Sequence, residues 1–310
     1  MTGTLPHMDQ MYSTVETPVS TVLSFTRLDV GSLLKTHKPH LAPWIPKFLI
    51  RKLEQVIHLN FINDFMEAHC DDEPEIFLSA LIEEFDIRAD FYGYQRFVDC
   101  LTKRPIIVAN HPLGGVESLL LMDEVVKVHG NVHMIVKSLL TAIKPLAPFF
   151  VSIPRKNDRQ VAMNLLDVFH RDVPILIFPA GYCSRPLSNK DIYDLCWSKS
   201  FVKLARINNR PIVPIHISGE NSKKFYRYST LRRKLGIKES LESILLVDEM
   251  LRKRHSHLKM TVGDILRPQL FGHEISDTEW AARIREYVWI LGKNGSASFD
   301  PSLQATLPIN

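Results

Sequence analysis

Short apolar runs, spaced by segments of helical periodicity, limit what this chain can fold into more than any other feature. Residues 106–109, 132–136, 149–153, 175–178 and 212–217 are brief, apolar and rich in β-branched residues, so each reads as a buried strand. Between them, 116–128, 161–170 and 200–207 carry apolar residues at three-and-four spacing and read as helices. Gly130-Asn131 is a stop signal for the first of these. A late strand at 260–262 and a last helix at 278–291 complete the pattern. Strands that alternate with crossover helices predict an α/β fold: a single mixed, largely parallel sheet flanked by helices. In such sheets, sites gather where the C-terminal ends of strands give way to loops.

Ahead of this pattern the texture differs. Residues 1–20 are rich in Thr, Ser and Met, carry no helical stripe and read as a loose arm. The stretch 47–69 places Phe48, Leu49, Leu53, Val56, Ile57, Phe61, Phe65 and Met66 at helical spacing, which predicts an amphipathic helix. Asp71-Asp72-Glu73-Pro74 ends it, and 75–85 reads as a second helix. With 310 residues and no internal repeat, one large domain with a helical N-terminal appendage is the simplest organisation. The net charge of +4 permits an acidic partner or an anionic surface without demanding either. Cys70, Cys100, Cys183 and Cys196 form no C-x-x-C pair, which fits a reducing compartment. The first residues lack the pattern of a signal peptide, and no apolar run approaches a spanning helix. Any membrane contact is therefore expected to be peripheral.

Two loops at strand ends carry chemistry. The first is Asn110-His111-Pro112-Leu113-Gly114-Gly115-Val116-Glu117-Ser118. His111 stands at a strand end, Gly114 and Gly115 permit a tight turn with close ligand approach, and Glu117 falls in the first helical turn. A carboxylate on one imidazole nitrogen makes the other a better base. The N–H groups of the turn are candidates to stabilise an oxyanion. A surface histidine beside a helix-start acid is the plainer alternative. The second loop is Phe178-Pro179-Ala180-Gly181-Tyr182-Cys183-Ser184-Arg185, in which Arg185 suits a phosphate or carboxylate, or simply caps a turn. A third segment, Ile212-Val213-Pro214-Ile215-His216-Ile217-Ser218-Gly219-Glu220-Asn221-Ser222, reads mainly as a wall of the site.

Together these blocks resemble the glycerolipid acyltransferase family, which includes the lysophosphatidic acid acyltransferases. Asn110, His111 and Glu117 correspond to its Asn-His and acid block, Phe178 to Ser184 to its Phe-Pro-x-Gly-x-x-Ser block, and Val213-Pro214-Ile215 to its Val-Pro strand. The run Asn110 to Gly115, Trp197-Ser198-Lys199-Ser200-Phe201 and Gly219-Glu220-Asn221-Ser222 are most similar to the branch of ornithine- and glycine-lipid O-acyltransferases. Leu246-Val247-Asp248-Glu249-Met250 resembles a segment of the bacteroidete members. The likeness runs from about residue 47 to 270. Glu117 stands in place of the usual Asp and one residue further from the histidine, as in the ornithine-lipid branch. Ala180 stands where the wider family often has Glu. Asp123 is the nearest other acid, but it lies on another face of the helix.

The resemblance implies an O-acyltransferase that moves a fatty acyl group from acyl carrier protein or acyl-CoA to the hydroxyl of a lysolipid. The acceptor would be a lyso-glycine lipid, a lyso-ornithine lipid or lysophosphatidic acid. His111 and Glu117 would be catalytic, without a covalent intermediate. Asn110, Gly114, Gly115, Lys137, Arg155, Pro179, Gly181, Ser184 and Arg185 would bind substrate. No cofactor and no metal are expected. The organisation implied is a flexible arm (1–20), a helical membrane-associating region (21–86), a catalytic domain (87–292) and a flexible tail (293–310), peripheral at the cytoplasmic face of the inner membrane. A covalent route would use Cys183, which lacks an adjacent base. A thioesterase or lipase would need a nucleophile elbow, and no G-x-S-x-G is present. A non-catalytic lipid binder on the same fold is the remaining alternative. The basic stretches Lys223-Lys224-Phe225-Tyr226-Arg227 and Arg232-Arg233-Lys234 suit an acidic carrier protein, anionic headgroups or plain solvent. No nucleic-acid motif accompanies them. His255-Ser256-His257 lacks a third metal ligand and reads as a loop; Trp280 and Trp289 read as packing residues.

Overall fold

The computed structural model describes residues 26–37, 40, 42–137, 140–154, 158–186, 191–236 and 245–307. The arm at 1–20 and Arg155 lie outside the described residues. Helices α1 (Val30–His37), α2 (Lys47–Val56), α3 (Leu59–Ala68) and α4 (Pro74–Phe85) precede the first strand. There follow β1 (Arg88–Tyr92), α5 (Tyr94–Leu101), β2 (Ile106–Ala109), α6 (Val116–His129), β3 (His133–Val136) and β4 (Phe150–Ser152). Next come α7 (Arg159–Val168), β5 (Ile175–Ile177), the short strands β6 (Arg185–Pro186) and β7 (Ile192–Tyr193), α8 (Ser200–Ile207) and β8 (Ile212–Ile217). The chain closes with α9 (Lys223–Lys234), α10 (Leu246–Arg252), β9 (His257–Val262) and α11 (Asp277–Lys293).

Seven strands form one sheet in the order β1-β9-β8-β2-β5-β3-β4. Every neighbouring pair is parallel except β8 and β9, so the edge pair β1–β9 runs against the other five. The expected mixed, largely parallel sheet is therefore present. Prolines open its central strands. Pro105, Pro174 and Pro211 directly precede β2, β5 and β8, where a missing N–H costs no ladder bond. The Pro105 carbonyl accepts from the Ile175 N–H at 3.0 Å, and the Pro211 carbonyl from the Ile106 N–H at 2.8 Å. These bonds fix the register before the apolar runs begin.

Strand β2 is central and wholly buried. Ile107 and Ala109 join the core beneath α4, α5 and α6, whereas Ile106 and Val108 join the core beneath α8 and α11. That division is the alternation of a strand buried on both faces. Each of its isoleucines contributes roughly 2 kcal/mol through burial. Helix α6 ends at Gly130 (φ 83°), as its stop signal predicts.

The single helix expected over 47–69 is two helices. His58 adopts a left-handed backbone (φ 51°), and its Nε2 lies 3.1 Å from Asp248 Oδ1. The bend turns Leu59, Phe61, Phe65 and Met66 of α3 toward the domain. Helix α2 buries no residue, and Phe48 remains 67% exposed. Continuous three-and-four spacing conceals the break because both halves are amphipathic. After α11 the described part of the tail lies back against the domain. Phe299 N–H donates to Asp264, and the N–H groups of Thr306 and Leu307 donate to Glu286. No helix among the described residues is long and apolar enough to cross a membrane.

Candidate active site

The site forms at the C-terminal ends of β2, β5 and β8. Asn110 directly follows β2 and is buried. Its Nδ2 donates to the Ile217 carbonyl (2.8 Å) and its Oδ1 accepts from the Ile217 N–H (2.7 Å). The side chain thus extends the β2–β8 ladder by one rung. Both amide atoms of this expected substrate ligand thus bond to backbone.

His111 comes next, with its side chain 14% exposed. Its ring packs against Phe178 at the end of β5, with centroids 4.3 Å apart. Nδ1 lies 3.1 Å from Glu117 Oε1. The contact falls outside good hydrogen-bond alignment. Glu117 is fully buried. Oε1 accepts from the N–H groups of Leu113 and Gly114, each at 2.8 Å, and Oε2 from that of Gly115 at 3.1 Å. Burial pushes its carboxyl up, but the neighbouring imidazole and the Gly114 and Leu113 N–H groups outweigh that and hold it below the ordinary value.

This arrangement overturns one expectation. The N–H groups of the glycine turn do not face an incoming oxyanion; they hold the Glu117 carboxylate. The turn's carbonyls are claimed as well. Asn221 Nδ2 lies 3.2 Å from the carbonyls of both Pro112 and Leu113. Gly114 has φ 91°, and a Cβ there would stand 2.4 Å from Cys183 Sγ and 2.8 Å from Leu246 Cδ2. A Cβ on Gly115 would stand 2.5 Å from Met250 Sδ. The glycines are therefore needed for close packing of Cys183 and α10 over the turn.

A second buried carboxylate, Asp194, lies beside the first and escaped the sequence reading. Its Oδ1 accepts from the His111 backbone N–H (3.2 Å) and the Ser184 hydroxyl (2.6 Å), and its Oδ2 from the Trp197 indole (2.8 Å). Burial pushes this carboxyl up, against the pull of those donors. Ser184 also donates its N–H to the His111 carbonyl at 2.8 Å. Ser184 is thus a strap between two loops, not an exposed substrate ligand. Asp194 gave no periodic signal; the clue was an acid and an indole donor three residues apart in a largely apolar stretch.

The remaining expected site residues divide. Arg185 is buried, with Nε donating to the Cys183 carbonyl at 3.2 Å. Lys137 is exposed, and its Nζ lies 3.5 Å from the centroid of the Tyr182 ring. Pro179 is buried and its carbonyl accepts from Ser198, while Gly181 (φ 66°) is exposed at the loop tip. Cys183 is buried, and burial followed by the Glu117 charge pushes its thiol far above the ordinary range. That opposes a thiolate nucleophile. Asp123 is occupied elsewhere, by Ser79 and Lys127. His255 and His257 pair with Asp86 and Asp90, and no three-residue metal cluster occurs among the described residues. A concavity of about 600 Å³ lined by Asp90, Tyr92, Tyr94 and Glu124 lies at the β1 edge, three strands from β2, and holds no such pair of base and acid.

An imidazole backed by a buried carboxylate, at a strand end and without a competent nucleophile beside it, suits an enzyme that works by general-base catalysis. The family model described as Acyltransferase covers residues 32–297, and the chain belongs to that family. It is an acyltransferase, which sets aside the non-catalytic alternative. The lyso-glycine lipid O-acyltransferase of Phocaeicola vulgatus is 31% identical over 85% of this chain and 95% of its own length. The lyso-glycine lipid O-acyltransferase of Bacteroides thetaiotaomicron is 32% identical over 85% of this chain and 97% of its own length. Among solved structures, the 1-acyl-sn-glycerophosphate acyltransferase of Thermotoga maritima aligns over 81% of this chain and 95% of its own. Its identity of 13% and TM-score of 0.42 are too low to carry an argument.

Proposed function

We propose that this acyltransferase esterifies the hydroxyl of a lyso-glycine lipid with a fatty acyl group taken from a thioester of acyl carrier protein or coenzyme A. The observation that carries the reading is the His111–Glu117 pair, with the carboxylate fixed by three backbone N–H groups. The relatives' shared acceptor supports the choice of substrate. In the proposed reaction Nε2 of His111 takes the proton of the acceptor hydroxyl, and that oxygen attacks the thioester carbonyl carbon. The C–S bond breaks, and the departing sulfur receives the proton back from the imidazolium. The products are the O-acyl ester and the free thiol of the carrier. Glu117 holds the Nδ1 side of the ring and stabilises its transient positive charge. The buried Cys183 thiol takes no part.

Membrane attachment forms part of the same reading. Lys47, Arg51 and Lys52 flank Phe48 and Leu49 on the unburied helix α2, and Trp44 before it is 84% exposed. Basic and aromatic groups beside exposed apolar side chains suit a helix lying on lipid. The inner membrane's cytoplasmic face remains the place proposed for it.

The test is transfer from acyl carrier protein and from acyl-CoA to lyso-glycine lipid, lyso-ornithine lipid and lysophosphatidic acid. His111→Ala is expected to lower kcat about 10²–10⁴-fold with an unchanged melting temperature. Full activity in that variant removes the base assignment. Preference for another acceptor removes the substrate assignment alone.

A further inference from the structure

Helix α9 joins the site to the surface in an unusual way. Its sequence, Lys223-Lys224-Phe225-Tyr226-Arg227-Tyr228-Ser229-Thr230-Leu231-Arg232-Arg233-Lys234, contains six cations and no acid. Ser222 caps it by accepting from the Phe225 N–H, and Glu249 on α10 holds Ser222 in turn. The inward face is fully used. Phe225 and Tyr226 pack with Cys183, the residue that touches the glycine turn at Gly114, and the Tyr226 hydroxyl accepts from the Asn221 N–H. The Arg233 guanidinium donates to the Pro186 carbonyl, just beyond the Ser184 loop. The outward face carries Lys223, Lys224, Arg227 and Lys234, with Tyr228, Leu231 and Leu235 exposed among them at successive helical turns.

We propose that the outward face of α9 is the docking surface for an acidic acyl carrier protein, which makes a protein-borne thioester the donor. This rests on the reading of His111 as the base of a thioester-using site. Charge complementarity selects the occupant. A cationic strip with a few apolar contacts suits the surface of a small acidic protein. A lipid surface fits less well, because cations dominate the outward face and its exposed apolar side chains are limited to Tyr228, Leu231 and Leu235. Helix α2 is the contrasting case, with Phe48 and Leu49 exposed and no residue buried. A carrier seated on α9 sits one packed layer from the turn that holds Glu117.

The test compares the wild type with a Lys224→Glu/Arg227→Glu/Lys234→Glu variant. Binding of unacylated holo acyl carrier protein is read by fluorescence anisotropy, without turnover. The variant is expected to bind about tenfold more weakly, and the wild type to lose affinity as salt is raised. kcat/KM for acyl carrier protein should fall by the same factor through KM, with acyl-CoA turnover and retention on anionic vesicles unchanged. No binding by the wild type, equal binding by both proteins, or equal loss with both donors overturns the docking. So does a variant that leaves vesicles yet still binds the carrier. Carrier binding that obeys the prediction without turnover from either donor removes the base reading and leaves the docking in place.

Discussion

At the scale of residues, the structure brings the expected histidine and acid side by side but gives the backbone between them another task. The glycine turn was expected to bind an oxyanion; its N–H groups bind Glu117 instead. The extra methylene of Glu and the extra residue of spacing work together, because the longer side chain folds back beneath the turn it follows. Nothing in a linear pattern shows where an N–H points, so this was not legible. Nor was Asp194, which meets His111 only through the tertiary fold. A stability prediction follows from Glu117. In Glu117→Gln an amide N–H₂ must oppose one of the three backbone donors. The loss expected at neutral pH is about 2 kcal/mol, from one buried donor left unsatisfied. The sign of its pH dependence is fixed. The folded carboxyl is held below its ordinary 4.5, so the ionised group stabilises above that pH and its contribution is lost as pH falls through the lower, folded value. Urea titrations of both proteins check this: the gap should be constant near neutrality and narrow on acidification below 4.5. A gap that widens in acid would contradict it.

At the scale of elements, strand and helix positions were largely legible because β2, β8 and α8 have sharp ends: a preceding proline, a polar loop, a run of matched spacing. Among the elements that escaped, α9 and α10 lack such patterns. One is too cationic to show an apolar stripe, and the other is a seven-residue helix fixed by contact with Gly114, Gly115 and Ser222. The 47–69 helix was misread for the opposite reason: its periodicity is good on both sides of His58. That break has a functional consequence. It allows α3 to be part of the core while α2 is left on the surface with its aromatic and basic side chains outward. Phe48→Asp/Leu49→Asp should then reduce retention on anionic vesicles by about tenfold or more, since charges replace two side chains worth roughly 2 kcal/mol each in an apolar phase. The melting temperature should hold, because neither residue is buried. Unchanged vesicle binding would show that α2 does not meet lipid.

At the scale of the whole molecule, the sheet gathers blocks distant in sequence. Strands β2, β5 and β8 are neighbours and parallel, so the loops after Ala109, Ile177 and Ile217 emerge side by side. The alternation of strands and helices made that convergence legible in advance. The reversal of β1 and β9 was not, because a strand's direction leaves no mark in its own composition. The same sheet carries two half-hidden liabilities, His133 on β3 and His216 on β8. Burial, with the charges of Arg171 and Arg210, lowers the first; burial, with the charge of Lys259, takes the second from the ordinary 6.5 to about 4. His216 has little room to escape. Its ring faces Trp289 of α11, with centroids 5.7 Å apart, and lies so close to Gly292 that a Cβ there would stand 2.4 Å from Nε2. Between pH 6.5 and 4 the unfolded chain therefore binds protons that the folded chain refuses, so stability must fall as pH falls across that window. Replacing His216 with Gln removes one of the two titrations. Across the window the variant should lose up to about 3 kcal/mol less stability than the wild type, read from urea midpoints at matched pH. His133 keeps a shallower slope in the variant. Identical slopes in the two proteins would mean that His216 is protonated in place, and that the β8–α11 interface opens to water well before the domain unfolds.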